Sequence, residues 1–522
     1  MTSHKTSRLS PIGFCLILAG AIALIVAIFH RELIQSLRGP DLLISEVMAV
    51  NRSTLVDSDG DFSDWIEIYN PHFQARNLGG WFLTDNFREP RQWEFPPVEL
   101  GPGGFLIVYA SGKNRTNRLD DLHTNFRLNP RGEYLALIKP DGRTVAHEYL
   151  PKYPPMDGDL SFGLRAGWFS PFGDAAPTQE IRQYAYFVAP TPGRPNGVEM
   201  AGRVADTKFS ARRGFFSEPV EVIITSATPD AEILFTTDGS VPKPGHGTRY
   251  VEPIHIRKTT TLRAAAFKEN FRPTDVDTHT FIFPRQVVGQ TGAGFPATWG
   301  EREGEPVVAD YAMDPEIAQD PRYRERLDQS LVAIPTLSLV LDPADLFNPA
   351  TGIYSNPLES GSAWERPASL ELILPDGTKG VHVNCGVRIQ GGWSRRPEES
   401  PKHSFRLEFR ERYGAASLNY PLFGHDGPKR LESLVLRAGC NNSWLHWSAE
   451  ERRRGELLRD EFMRDSYREL GQPSARGGFF HLYLNGLYWG IYNACERPEA
   501  SFLAEELGST PADYESRNAG KV

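Results

Sequence analysis

This sequence predicts a multidomain, mainly β fold, and three features carry that prediction. The chain has 522 residues, too many for one hydrophobic core at about 100–200 residues per domain, so about three modules are expected. Gly (47) and Pro (41) punctuate it at short intervals, and the apolar stretches between them are mostly short and alternate with polar residues, the period of strands. Aromatic residues make up 11%, which suits half-buried pleated surfaces. The formal net charge of −9 offers no basic excess for a duplex, so nucleic acid is not expected as a partner.

Near the N-terminus, Lys5 and Arg8 precede an uncharged apolar run from Ile12 to Phe29. As a helix, a run of this length just crosses a hydrocarbon layer of about 30 Å. It ends in Ile28-Phe29-His30-Arg31-Glu32, without the small-x-small site of a cleaved signal. Residues 1–38 are therefore read as a cytoplasmic tail and a transmembrane signal-anchor helix, about 12–29. The bulk of the chain would then be extracytoplasmic on a single-pass cell-membrane protein; a cleaved signal is the alternative. Arg31 and Arg38 beyond the run weaken the charge asymmetry. Cys15 lies in the run, and Cys385, Cys440 and Cys495 are scattered, which is neither a disulfide framework nor zinc spacing.

From Asp41 the phrases DLLISEVMAV, WIEIYN, GGFLIVYAS and EYLALIKPDGRTV are β-type runs split by Asp-Gly and Gly-Gly turns. In WIEIYN the pattern buries Trp65, Ile66, Ile68 and Tyr69 around Glu67. About a hundred residues is the usual size of a β-sandwich. The order of these phrases resembles the lamin-tail domain, so residues 39–150 are expected to form an immunoglobulin-like sandwich used for binding or tethering. Asp57, Asp59, Asp61 and Asp64 gather the oxygen ligands that calcium takes, but the run lacks the loop glycine of an EF-hand, and a solvated turn is the favoured reading. Residues 151–205, rich in Pro, Gly and aromatics, read as a linker or a flap on this sandwich.

A second β unit is expected over residues 206–284. Val220, Val222 and Ile224 alternate, ILFTTDGS ends in an Asp-Gly turn, and TTTLRAAAFK is a β-branched strand. The stretch from Phe235 to Ser240, Pro253-Ile254, and Leu262 through Lys268 resemble the small immunoglobulin-like C-terminal domain of chitobiases and hexosaminidases. That domain is accessory in those enzymes, so the resemblance implies no glycosidase activity. A carboxylate pair for glycoside hydrolysis is defined by spatial separation, which a sequence does not display. Residues 285–330 read as a linker.

The chemistry is expected in residues 331–522. Val381, Val383, Cys385, Val387 and Ile389 share one face of a strand, with His382, Asn384, Gly386, Arg388 and Gln390 on the other. Past a loop of Gly391, Gly392, Ser394, Arg395 and Arg396, the residues Phe405, Leu407 and Phe409 alternate with Lys402, Ser404, Arg406 and Glu408. Paired as a hairpin, these runs put Arg388 and Lys402 on a common polar face, below backbone amides and guanidinium groups that suit phosphate oxygens. The opposing reading is a basic hairpin tip that only discourages aggregation. LLRDEFMRDSYRELGQ places Leu458, Phe462 and Leu470 near helical spacing and pairs Asp460 with Arg464 at i,i+4, so a packed amphipathic helix is expected there. A hairpin on Asn485-Gly486 follows, ending in Glu496-Arg497 before a short helix.

GVRIQGGWSRR, PKHSFRLEFRERYG, PLFG, LESLVLRAGCNNSW, LLRDEFMR and HLYLNGLYWGIYNACERPEASFL stand in the order of the CotH kinase family, atypical exported protein kinases, and the resemblance spans roughly Ile334 to Tyr514. It implies an α+β atypical-kinase-like lobe that transfers the γ-phosphoryl group of ATP, with Mg2+, to Ser or Thr hydroxyls of envelope proteins. On that reading the nucleotide-binding residues are Lys402, with Arg388, Ser394 and Arg395 assisting, and Glu496 orienting Lys402 or holding a metal. A surface carboxylate paired with Arg497 is the other reading of Glu496. Asp460 is read as a helix-surface partner of Arg464. The resemblance also implies that the family's catalytic and metal-binding aspartates lie beyond Val522, so a C-terminally truncated module is expected and no catalytic residue is assigned. Two other functions stay open: a non-catalytic envelope scaffold whose β modules bind glycans or proteins, and a polysaccharide-acting enzyme suggested only by the accessory module.

Overall fold

The computed structural model describes residues 42–117, 120–165, 184–400, 402–425, 427–444, 446 and 448–515. The expected membrane helix lies outside the described residues; among those described, no helix is long and apolar enough to cross a membrane. The chain divides into two compact units, Met1–Gly202 and Arg203–Val522.

The first unit is a two-sheet sandwich. One sheet is built from β1 (Leu43–Met48), β2 (Trp65–Tyr69), β5 (Phe105–Tyr109), β6 (Leu122–His123), β9 (Ser161–Leu164) and β10 (Tyr184–Phe187), in the order β10-β9-β1-β2-β5-β6. The other runs β8-β7-β3-β4, from β3 (Phe82–Thr84), β4 (Trp93–Glu94), β7 (Leu135–Ile138) and β8 (Val145–Tyr149). Ile44, Val47, Ile66, Ile68 and Val108 from the first sheet meet Leu83, Trp93, Leu135 and Leu137 from the second. The stretch read as a linker or flap supplies β9 and β10 and then a loop, so both faces of β2 are covered. Glu67 is consequently buried along with its apolar neighbours.

The acidic run is more than the plain solvated turn the sequence favoured, because Asp57 is buried and basic side chains meet the cluster. Lys113 Nζ reaches Asp57 at 2.7 Å, Asp59 at 2.6 Å and Asp61 at 2.9 Å, and Arg115 adds a second cation on Asp59. Burial opposes charge on Asp57, but the Lys113 ammonium outweighs it and holds the carboxyl below its ordinary value. Asp64 points elsewhere, accepting the Asn51 backbone N–H at 3.0 Å.

The second unit joins a small β module to a barrel. The module's main sheet runs β11-β15-β14-β12-β13, from β11 (Gly214–Phe215), β12 (Glu232–Thr236), β13 (Thr248–Arg249), β14 (Thr260–Phe267) and β15 (Asp277–Ile282). Its core is Val222, Ile224, Leu262, Ala264 and Phe281. The barrel closes as β16-β17-β18-β19-β20-β22-β21, from β16 (Thr336–Val340), β17 (Arg366–Ile373), β18 (His382–Gln390), β19 (Ser404–Glu408), β20 (Ser433–Arg437), β21 (Gly477–Leu484) and β22 (Leu487–Cys495). All its pairings are antiparallel except β16 with β21, which closes the ring in parallel. Side chains alternate across a strand, so Val383, Cys385, Val387, Ile389, Phe405, Leu407, Leu434 and Leu436 fill the interior. Their neighbours face outward and make the polar wall that matters for function.

Candidate functional site

The predicted hairpin forms, with Gly386 opposite Glu408 and Gln390 opposite Ser404. Its cations do not converge. Arg388 stands opposite Arg406, an unfavourable pairing that carboxylates neutralise: Glu408 binds Arg388 at 2.9 Å and also contacts Arg406, while Glu365 lies 3.9 Å from Arg388. Lys402 precedes β19 and reaches past the end of β20. There its ammonium donates to the Ile491 carbonyl at 2.9 Å and rests over the Tyr492 ring, 4.4 Å from its centroid. Desolvation lowers its pKa to about 7.

Arg395 is structural in the same loop. It donates to the carbonyls of Gly391, Ile389, Pro357 and Glu359 at 2.6–3.0 Å, spending its guanidinium on tying the loop down. Ser394 sits in the single turn Trp393–Arg395, against Gly391. Gly391 has φ +131°, and a Cβ there would meet Ser394 Oγ at 2.5 Å, so glycine is required. Glu496 does not reach Lys402. Its carboxylate accepts the Arg476 backbone N–H at 2.7 Å and lies 3.7 Å from the Arg476 guanidinium. It is also five residues along the chain from Ile491, a span of about 17 Å. Burial raises its pKa. Neither reading of Glu496, as a partner of Lys402 or of Arg497, describes this arrangement.

A different cation stands on the outer wall. Arg437, the last residue of β20, forms an ion pair with Asp460 in α1 (Arg459–Glu469). Asp460 also takes the expected i,i+4 contact from Arg464 at 3.3 Å. Arg464 and Glu461 both bond Asn493, the residue paired with Arg437 across to β22. Helix α1 therefore lies on the wall of β20 and β22 through its polar side. Beside Arg437, Ser404 Oγ accepts the Ala438 backbone N–H at 2.9 Å, which closes off the short end of β20.

A cleft of about 340 Å³ opens where β20 begins, against α2 (Ala500–Leu507). Arg430, Glu432, Ser433, Glu496, Arg497 and Phe502 are among its lining residues. Arg497 Nη1 is buried without a hydrogen-bond partner, and Arg497 Nε lies 3.1 Å from Glu499. Glu499 in turn accepts the Ser433 hydroxyl at 3.0 Å. The volume is within the range of small-molecule sites.

Comparison with known families settles what surrounds this wall. The model for the CotH kinase protein matches residues 387–518, which contain the hairpin loop, Arg437, α1 and the cleft. The chain carries a CotH kinase domain at its C-terminus. The Lamin Tail Domain matches residues 35–149, and the Chitobiase/beta-hexosaminidase C-terminal domain matches residues 211–278. No curated protein matches the chain. The CotH match begins within β18, so β16, β17 and the first half of β18, which complete the barrel, lie before it.

Within the CotH domain the residues divide by their fit to a nucleotide. Arg388 pairs with Glu408, Arg395 donates to four backbone carbonyls and Lys402 donates to the Ile491 carbonyl, so each of the three is held by partners within the domain. Arg437 is partly exposed and held by one carboxylate, which fits contact with phosphate oxygens. Among the described residues, the carboxylate trio close enough to share an ion is Asp57, Asp59 and Asp61, in the other unit, so no Mg2+ ligands are assigned in the CotH domain. Arg437 went unnoticed in the sequence, and Arg497 was read only as a surface partner of Glu496. The signal available for Arg437 was a lone cation ending the strand LESLVLR, with the acidic helix segment LLRDEF following about twenty residues later.

Proposed function

We propose that this protein is a membrane-anchored, extracytoplasmic CotH-like ATP-dependent kinase acting on Ser or Thr hydroxyls of envelope proteins. The observation that carries the reading is the Arg437–Asp460 pair. In protein kinases a strand lysine, held by a helix glutamate, meets the nucleotide phosphates beside a Gly-rich loop on the neighbouring hairpin. Here the order is the same: hairpin with its Gly391-Gly392 loop, cation strand β20, acid helix α1, two further strands, then the cleft and α2. Arginine replaces lysine, offering a planar fork in place of a point charge. Asp460 aims that fork, and Asn493 with Arg464 keeps α1 seated on the wall. Ser433 and Arg437 share the outer face of β20 about 13 Å apart, so a ligand with its base end in the cleft would lead its phosphates toward Arg437. Bound Mg2+ would supply neutralisation of phosphate charge; positioning falls to the residues named.

A second reading, an envelope scaffold binding glycans or proteins, is supported by Trp393. It is 62% exposed at the loop tip with Arg396 stacked 4.2 Å from its ring centroid, an arrangement typical of interface anchors. Incubating the full chain in detergent micelles with labelled ATP, Mg2+ and a Ser-rich protein separates the two. The kinase reading expects ATP to bind and label protein, with binding weakened about tenfold to a hundredfold in Arg437→Ala, the worth of one charge-assisted contact. ATP binding that is absent, or equal in wild type and Arg437→Ala, leaves the scaffold.

A further inference from the structure

Helix α1 presents its faces the opposite way from a packed amphipathic helix. Asp460, Glu461 and Arg464 meet the barrel wall, and the apolar residues face away. Leu458, Phe462, Met463, Tyr467 and Leu470 are 66%, 66%, 60%, 53% and 75% exposed. At 3.6 residues per turn Leu458, Phe462, Met463 and Leu470 fall in the half of the helix opposite Asp460, Glu461 and Arg464, and Tyr467, seven residues on from Asp460, lies at the edge of that stripe. Single exposed apolar residues need no explanation, but a contiguous stripe of large ones marks an interaction surface. At about 150–250 Å² for each large side chain, five at these exposures leave on the order of 600 Å² open. That approaches the roughly 800 Å² each partner gives a standard interface.

We infer that this stripe is the contact between two copies of the chain, with the two α1 helices packed antiparallel about a two-fold axis. Charge placement favours this occupant. Arg459 opens the stripe and Glu469 closes it, and both are exposed. Antiparallel packing sets Arg459 of one copy at the last turn of the other, within reach of its Glu469, and does so at both ends. A parallel packing would set like charges together. Antiparallel helices also oppose their dipoles favourably, and an isologous contact closes on itself without forming filaments. The surface does not depend on the kinase reading. It does bear on the site, because the helix it would pin carries Asp460.

Sedimentation of the full chain in density-matched detergent tests this at micromolar concentration. Wild type is expected as a dimer. Phe462→Asp should be monomeric with an unchanged melting curve, and Arg459→Glu should weaken the dimer about tenfold, as a disrupted interface charge pair does. Combining Arg459→Glu with Glu469→Arg should restore it, and this outcome is independent of whether Phe462→Asp folds. A monomeric wild type, a dimer untouched by Phe462→Asp, or a double variant as weak as Arg459→Glu alone would each overturn the inference.

Discussion

Glu67 sits wholly out of water on β2, opposite Glu46 on β1. The Ser45 hydroxyl at 2.7 Å and the Gly193 N–H at 2.6 Å donate to it. Burial dominates those contacts, and with the Glu46 charge adding to it, the Glu67 pKa is pushed up to about 8 from 4.5. Between those values the folded state holds a proton that the unfolded chain has released. The stability of the first unit is therefore expected to fall by on the order of a few kcal/mol as pH rises from about 4.5 to about 8. Glu67→Gln should flatten that slope, raising the melting temperature at pH 8 and leaving it nearly unchanged at pH 5, as scanning calorimetry would show. Lys402 obeys the same physics with opposite charge. The alternation from Lys402 to Glu408 put it on the outer polar face, whereas the structure sets it over Tyr492, a core residue of β22. The ammonium goes to Ile491 because β20 stops early, and the length of a neighbouring strand is not written in Lys402's own segment.

Elements were more legible than partners. The β18–β19 hairpin follows from strict alternation, since a slip of one residue would turn Val387 and Leu407 out to water. Its loop is rigid for a reason the sequence hides: Arg395, read as a phosphate ligand, binds four carbonyls instead. Arg395→Ala is expected to raise hydrogen exchange across Gly391–Ser400 at least about tenfold, the loss of one or more net hydrogen bonds. Exchange unchanged in that variant would show that other contacts hold the loop. For α1, periodicity identified two faces correctly but assigned the wrong one to the core. The wall it meets is polar, Arg437 on β20 and Asn493 on β22, so the polar face docks and the apolar face is left outward.

At the scale of the molecule, the β module and the barrel share a buried polar contact. Glu371 of β17 accepts from the Thr280 N–H at 3.2 Å and from the Thr280 hydroxyl, with Arg213 Nε at 3.3 Å. The Thr280 hydroxyl also meets Ser338 of β16 at 2.7 Å. Removing Glu371 would leave the half-buried Arg213 guanidinium and the Thr280 donors without their acceptor, at a cost of about 3 kcal/mol. Glu371→Ala is therefore expected to speed hydrogen exchange in β14, β15, β16 and β17 together; an effect confined to β17 would mean the two modules are stable independently.

The sequence by itself determined which stretches become strands, where the hairpins turn, the parity of each strand, and the three family resemblances. All of these rest on neighbours along the chain, where period and turn chemistry act directly. Only the tertiary structure decided that Lys113 meets the acidic cluster, that Arg437 rather than Lys402 stands open on the wall, and that α1 turns its apolar face outward. Each of those depends on which charged groups end up side by side after distant strands have paired, and a charge's partner is set by distance in space, not by separation along the chain.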